Sequence, residues 1–282
     1  MASLLRLMCV LFIYLGISEK TSNAYNILVI FPFNGKSHFA VVETYLEELA
    51  AKGHQLVVVS HFPRKKPIPN YKDVDIRGVL STRKTVNFME FKDMQNGRSQ
   101  VLSAISLGIW GAQVCEKTMK HPEVQKLIES DEKFDLLVIE AFNTDCFLAF
   151  GYKFQIPIIA FSACIFLPWI PGRVGNPDNP SYIPTHFAQT SDKMDFYGRF
   201  RNFLSYVFHH VTAPILLDFP ALGIAAKHFG DTLPTLSQLA RNTSLFFVNT
   251  HFSINGPRPL VPGVVEIGGI HINRPKKLSL VS

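Results

Sequence analysis

The chain has 282 residues, 47% of them hydrophobic and 18% charged, with a formal net charge of +6. That length and apolar content suit one large α/β domain with a substantial core and exclude a disordered or fibrous chain. The lysines and arginines are scattered rather than gathered on one helix or repeat, so nucleic acid is not an expected partner.

In chain order, residues 1–24 read as a secretory signal peptide: Arg6 supplies a positive charge, Leu4 to Ile17 are almost wholly apolar, and Thr21-Ser22-Asn23-Ala24 ends in a small residue. An uncleaved anchor is the alternative, although the run is short and its flanks polar for a span. Tyr25 to Phe33 is a continuous apolar run ending in Pro32-Phe33-Asn34-Gly35, the pattern of a buried strand followed by a turn. Ser37 is placed to cap a helix in which Phe39, Val42, Leu46 and Leu49 share one face, and Gly53 stops it. Gln55 to Ser60 is the next strand, so the segment is a βαβ unit with parallel strands.

Residues 62–122 mix a basic, proline-containing loop with a strand and a longer helix around Val101 to Met119. The βαβ pattern then returns, with Glu123 to Ile128 helical, Phe134 to Ile139 a strand, a helix through Asp145 to Phe154, and Ile156 to Phe161 a strand. A doubly wound parallel sheet is the expected architecture. Farther on, Phe196, Phe200, Phe203, Leu204, Val207, Phe208 and Val211 recur at helical spacing. A helix laying that stripe on the core is the first expectation; a wall of an apolar pocket, or a surface dipping into the bilayer interface, is the second. Leu245 to Val248 and Val264 to Ile267 read as closing strands.

Cys9 would leave with the signal, and Cys115, Cys146 and Cys164 form an odd set without metal spacing. Buried thiols are expected, with one disulfide as the alternative. The adjacent His209 and His210 have no third ligand at metal spacing and read as helix surface. Asn242-Thr243-Ser244 is a glycosylation sequon, compatible with a secretory route. No nucleophile elbow, dinucleotide fingerprint or phosphate loop is found in the sequence.

His38 is the chemical candidate. It follows the turn after the first strand and opens the first helix, at the carboxyl end of the sheet where open α/β folds bind ligands. A helix N-terminus disfavours imidazolium, which suits a general base. If the Asp135 strand lies beside the first strand, Glu140 and Asp145 sit across the crevice, and either carboxylate could orient the ring.

These segments resemble the UDP-glycosyltransferases, and the insect members in particular, through Tyr25 to Pro32, Ser37-His38, Lys52-Gly53-His54, Phe134-Asp135-Leu136, Phe142 to Cys146 and Val261 to His271. The resemblance implies a two-domain GT-B enzyme of facing Rossmann-like halves, of which residues 25–274 match the N-terminal, acceptor-binding half and residues 275–282 the start of the interdomain linker. It implies a UDP-sugar as co-substrate rather than a bound cofactor, a small lipophilic acceptor, and His38 as the base that takes the acceptor's hydroxyl proton. The supporting acid is expected at Asp145, with Glu140 in reserve because it occupies the strand-end position. It also implies an endoplasmic reticulum lumenal enzyme, membrane-associated at full length. The donor-half signature is not found in the sequence, so the chain alone is expected to be inactive. A short form that binds lipophiles, or pairs with a full-length transferase, is the alternative.

Overall fold

The computed structural model describes residues 24–80, 97–188 and 190–272. The signal assignment, apart from Ala24, and the linker at 275–282 lie outside them. Strand β1 (Asn26–Phe31) leads into helix α1 (Lys36–Ala51), then β2 (Gln55–Ser60) and β3 (Tyr71–Asp75). Helices α2 (Gly97–Met119) and α3 (Pro122–Glu129) precede β4 (Leu136–Glu140), α4 (Leu148–Phe154) and β5 (Ile158–Ser162). A 3₁₀ turn, Pro171–Arg173, precedes α5 (Phe196–Ala213), which passes through a π-helical segment, Pro214–Asp218, into α6 (Phe219–Phe229). Helix α7 (Leu236–Ala240), β6 (Thr243–Val248), the short α8 (Phe252–Asn255) and β7 (Val264–Glu266) complete the order.

The strands form one seven-stranded sheet in the order β3-β2-β1-β4-β5-β6-β7. Every pairing is parallel, with Ile27 opposite both Leu56 and Leu136 in the central register. The chain winds outward from β1 in one direction and resumes beside β1 in the other, so β1 and β4 flank the switch point of a doubly wound sheet. The period of two along a strand sorts the core. Leu28 and Ile30 of β1 join Leu137 and Ile139 of β4 on the face covered by α2, α3, α4 and α6, whereas Ile27, Val29 and Phe31 pack with Phe39, Val42 and Leu46 of α1 on the other.

Three local expectations are corrected. The α1 N-cap is Gly35, not Ser37, so Ser37 lies within the first turn; the far end agrees with the sequence, Gly53 taking a φ of 95°. Helix α4 begins at Leu148, and Asp145 belongs to the turn before it. Cys115 and Cys146 form a disulfide across a Cα separation of 6.2 Å, leaving Cys164 as the free thiol among the described residues.

The largest correction concerns α5. Its periodic apolar residues do not cover the core: Phe196 is 85% exposed and Val211 60%, whereas Asn202, Ser205, His209 and Ala213 are buried. Asn202 explains the inversion. Its carbonyl accepts from the Thr185 amide at 2.7 Å, and its amide donates to the carbonyls of Pro180 and Ile183 at 2.6 and 2.7 Å. One polar side chain thus satisfies the backbone of an irregular segment, which must find partners once buried. His209 is also inside, 1% exposed, and stacks on Phe187 with ring centroids 4.9 Å apart. It is therefore not helix surface, and burial lowers its pKa below the ordinary imidazole value.

Candidate active site

The turn Pro32–Gly35 carries the chain from β1 into α1 and places His38 in the first helical turn, its backbone N–H donating to Gly35 O at 3.0 Å. Because β4 pairs with β1, the last residue of β4, Glu140, emerges beside it. The His38 Nδ1 to Glu140 Oε1 distance is 2.6 Å. The Glu140 side chain is 2% exposed and that of His38 18%, so the acid is sealed while the imidazole keeps a route to solvent. An ionised carboxylate only accepts, so against it Nδ1 is the donor, and in a neutral ring that tautomer leaves the lone pair on Nε2.

An aromatic wall surrounds the imidazole. Its centroid lies 4.5 Å from that of Phe33 and 4.6 Å from that of Phe142, and Trp110 of α2 meets Phe33 at 4.7 Å. Sequence reasoning did not assign these three a role. Phe33 and Phe142 each stand just past the carboxyl end of a strand at the switch point, a positional signal that could have found them. Trp110 lies far from both in sequence and carried no such signal.

Asp145 does not meet His38. Its Oδ2 accepts from Arg173 Nη1, and Arg173 Nη2 donates to Asp218 Oδ1 at the end of the π segment. All three are largely sheltered, with side-chain exposures of 8% for Asp145, 12% for Arg173 and 19% for Asp218. Burial raises the Asp218 pKa, and the nearby Asp145 charge adds to the rise. Of the two carboxylates read as candidates for the histidine's partner, the geometry brings Glu140 to the ring and commits Asp145 to Arg173.

The loop between β4 and α4 is held from several sides. Ala141 N donates to Phe161 O at 2.7 Å, Trp169 Nε1 donates to Phe142 O at 3.0 Å, and the disulfide fixes Cys146 to α2. Helix α2 approaches so closely that a Cβ built on Gly111 would lie 1.9 Å from Asn143 O. Gly111→Ala must therefore push the helix and loop apart, and we expect a loss of about 1–3 kcal/mol of stability. A thermal unfolding midpoint lower by roughly 2–10 °C checks it; an unchanged midpoint would show that the approach is not needed.

Near Glu140, burial chiefly pushes the Cys164 thiol up to about 11, with the Glu140 charge contributing. Such a thiol is a poor nucleophile at neutral pH. Among the described residues, no three His, Cys, Asp or Glu side chains group so as to hold a metal ion. A cavity of about 500 Å³ opens farther along, between the 182–192 segment and the loop after β6, lined by His186, Asp192 and Arg258 among others; His38, Glu140 and Asp145 do not line it. Asn242 is exposed in the turn before β6.

The family model described as UDP-glucoronosyl and UDP-glucosyl transferase matches residues 26–281. UDP-glucosyltransferase 2 of Dactylopius coccus is 37% identical over 93% of this chain and 50% of its own length. UDP-glucuronosyltransferase 1A7 of Rattus norvegicus is 30% identical over 89% of this chain and 49% of its own. The chain spans about half the length of the curated relatives it matches. Among solved structures, a spinosyn rhamnosyltransferase complexed with thymidine diphosphate aligns with 86% of this chain and 49% of its own, at 14% identity and a TM-score of 0.45. With the family match running through nearly all the described residues, from β1 past β7, the chain belongs to the UDP-glycosyltransferase family.

Proposed function

We propose that this chain forms the acceptor-binding half of a GT-B enzyme that transfers a hexose from a UDP-sugar to a hydroxyl of a small lipophilic acceptor. The observation that carries the reading is the 2.6 Å contact between His38 and a buried Glu140 at the sheet's switch point, within an aromatic wall. His38 Nε2 takes the hydroxyl proton as the acceptor oxygen attacks the anomeric carbon; the carbon's bond to the departing phosphate oxygen breaks, and UDP leaves with that electron pair. Glu140 holds the ring's orientation and stabilises the imidazolium that forms. Phe33, Phe142 and Trp110 offer apolar surface to an aromatic or aliphatic acceptor.

The relatives are about twice the length of the matched region, and transfer is proposed to require the half not represented here, which would hold the nucleotide. Misplacing the sugar by about 1 Å can cost around a hundredfold in rate, so an acceptor half alone should not turn over. A secretory route, with a glycan on the exposed Asn242, belongs to the same reading. The test joins residues 25–274 to the second half of the Dactylopius coccus UDP-glucosyltransferase 2 and follows transfer from UDP-glucose to 1-naphthol. Sustained turnover by the chimera and none by the single half is the expected result. Binding of 1-naphthol without turnover in a folded chimera would favour a lipophile-binding module instead.

A further inference from the structure

A second, smaller cleft lies at the opposite end of the sheet from His38. Its volume is about 250 Å³, and Tyr152, Gln155, Ile156, Pro157, Leu239 and Asn242 are among its walls. The first four come from the end of α4 and its connection to β5, the other two from α7 and the turn into β6. The cleft thus sits where β5 and β6 begin, whereas open α/β sheets take their substrates where the strands end. The pairing slips at this point: Ile158 is opposite Thr243 and Ile159 opposite Leu245, so Ser244 is an extra residue that bends β6 at its start.

Asn242 identifies the occupant. Asn242-Thr243-Ser244 is the one Asn-x-Ser/Thr triplet in the sequence whose middle residue is not proline. The Asn242 backbone N–H donates to Leu239 O at 3.0 Å, whereas its side chain has no hydrogen-bond partner among the described residues, and the residue is exposed. A sugar on its amide nitrogen is tethered to the wall of the cleft, so a weak contact suffices to hold it there. The volume falls below the roughly 300–1,000 Å³ of pockets for drug-sized ligands and suits a single hexosamine ring. The walls suit it as well. Ile156 and Pro157 offer apolar surface, and Tyr152 adds an aromatic body with a polar tip. Gln155 has a φ of 55°, the left-handed conformation that helix ends usually give to glycine, so a side chain is kept where none would be easiest. Its Nε2 donates to Tyr152 O, which leaves Oε1 to accept from a sugar hydroxyl or an N-acetyl N–H.

We propose that this cleft seats the first N-acetylglucosamine of a glycan on Asn242, which ties the α4–β5 connection to the α7–β6 turn. The co-reactant is a lipid diphosphate-linked oligosaccharide of the secretory pathway. The Asn242 amide nitrogen bonds to its anomeric carbon, the carbon's bond to the phosphate oxygen breaks, and the lipid diphosphate leaves with that electron pair while a base of the transferring enzyme takes one amide proton. Once seated, the ring covers apolar surface of Ile156 and Pro157 and joins two connections that come together only in the folded chain, so it favours the folded state. The proposal rests on the secretory route of the reading above and not on sugar transfer by this chain.

The test expresses the 282-residue chain in human cells treated with kifunensine, and endoglycosidase H then trims the glycan to its first sugar. Peptide mass spectrometry is expected to find that sugar on Asn242. The trimmed protein should unfold roughly 2–4 °C above the Ser244→Ala protein, which keeps Asn242 but lacks the sequon. Gln155→Gly, which also relieves the left-handed backbone, and Tyr152→Leu, which keeps an apolar side chain, should each cut that gain by at least half. Comparing gains across the variants cancels any effect of Ser244→Ala itself. An unmodified Asn242 overturns the proposal together with the glycan of the secretory reading. A modified Asn242 whose sugar brings no gain overturns the proposal alone. So does a gain that neither wall substitution reduces, since the sugar would then act without the cleft.

Discussion

In the two-half chimera, His38→Ala is expected to lower the rate of sugar transfer by roughly 10²- to 10⁴-fold, the range over which a positioned general base contributes. The acceptor's Km should change little, because the imidazole acts on the proton and the aromatic wall supplies most of the binding surface. Glu140→Gln should cost roughly a hundredfold or more, for a reason that separates it from a structural defect. An amide can present its N–H to Nδ1, which favours the tautomer protonated at Nε2, the nitrogen proposed to take the acceptor's proton. The amide also provides no negative charge opposite the imidazolium. Asp145→Asn should leave turnover per folded molecule within a few-fold of the parent while lowering stability, since its carboxylate is bound to Arg173. If Asp145→Asn matched His38→Ala in rate while Glu140→Gln remained active, the assignment of Glu140 would be wrong.

The contrast between these two acids shows where sequence reasoning reaches and where it stops. Placing the Asp135 strand beside β1 required only the doubly wound pattern, and the pairing of Ile27 with Leu136 has that form. The same argument brought Glu140 and Asp145 to the vicinity of His38 but could not rank them. Their ranking depends on Arg173, a residue in a separate loop whose approach no local periodicity encodes. The bond between Cys115 and Cys146 was beyond reach for the same reason, being a contact between a helix and a loop in an odd set of cysteines.

Helix α5 exposes a different limit. A period of 3.6 establishes that a helix has two faces, and the assumption that the apolar one turns inward is a rule about water-filled surroundings. Here the inward face carries Asn202, which supplies hydrogen-bond partners to a nearby irregular segment, together with Ser205 and His209, whose ring stacks on Phe187 of that segment. The periodicity was legible; its direction was not. By contrast, strands buried on both faces left little freedom, and β2 occupies the same residues, Gln55–Ser60, that its apolar run marks out.

Arg173→Leu is expected to destabilise the fold by about 3–5 kcal/mol, more than an ordinary surface-charge deletion, because it leaves two sheltered carboxylates facing one another without a cation. Its effect should depend on pH in a specified direction. Burial already raises the Asp218 pKa in the presence of Arg173, whose charge opposes the rise; removing that charge raises it further. A carboxyl whose folded pKa lies above its unfolded value binds more protons when folded, so the variant gains stability relative to the parent as pH falls from neutrality through the raised value. The gap between parent and Arg173→Leu in urea unfolding should therefore narrow with acidification, and adding Asp145→Asn and Asp218→Asn should recover part of the loss at neutral pH. A gap independent of pH, unrelieved by the two asparagines, would mean that Arg173 contributes through packing of its stem. In the chimera, the loosened β4–α4 loop would also release Phe142 from its place against His38, so transfer should fall in parallel with the loss of structure at that loop.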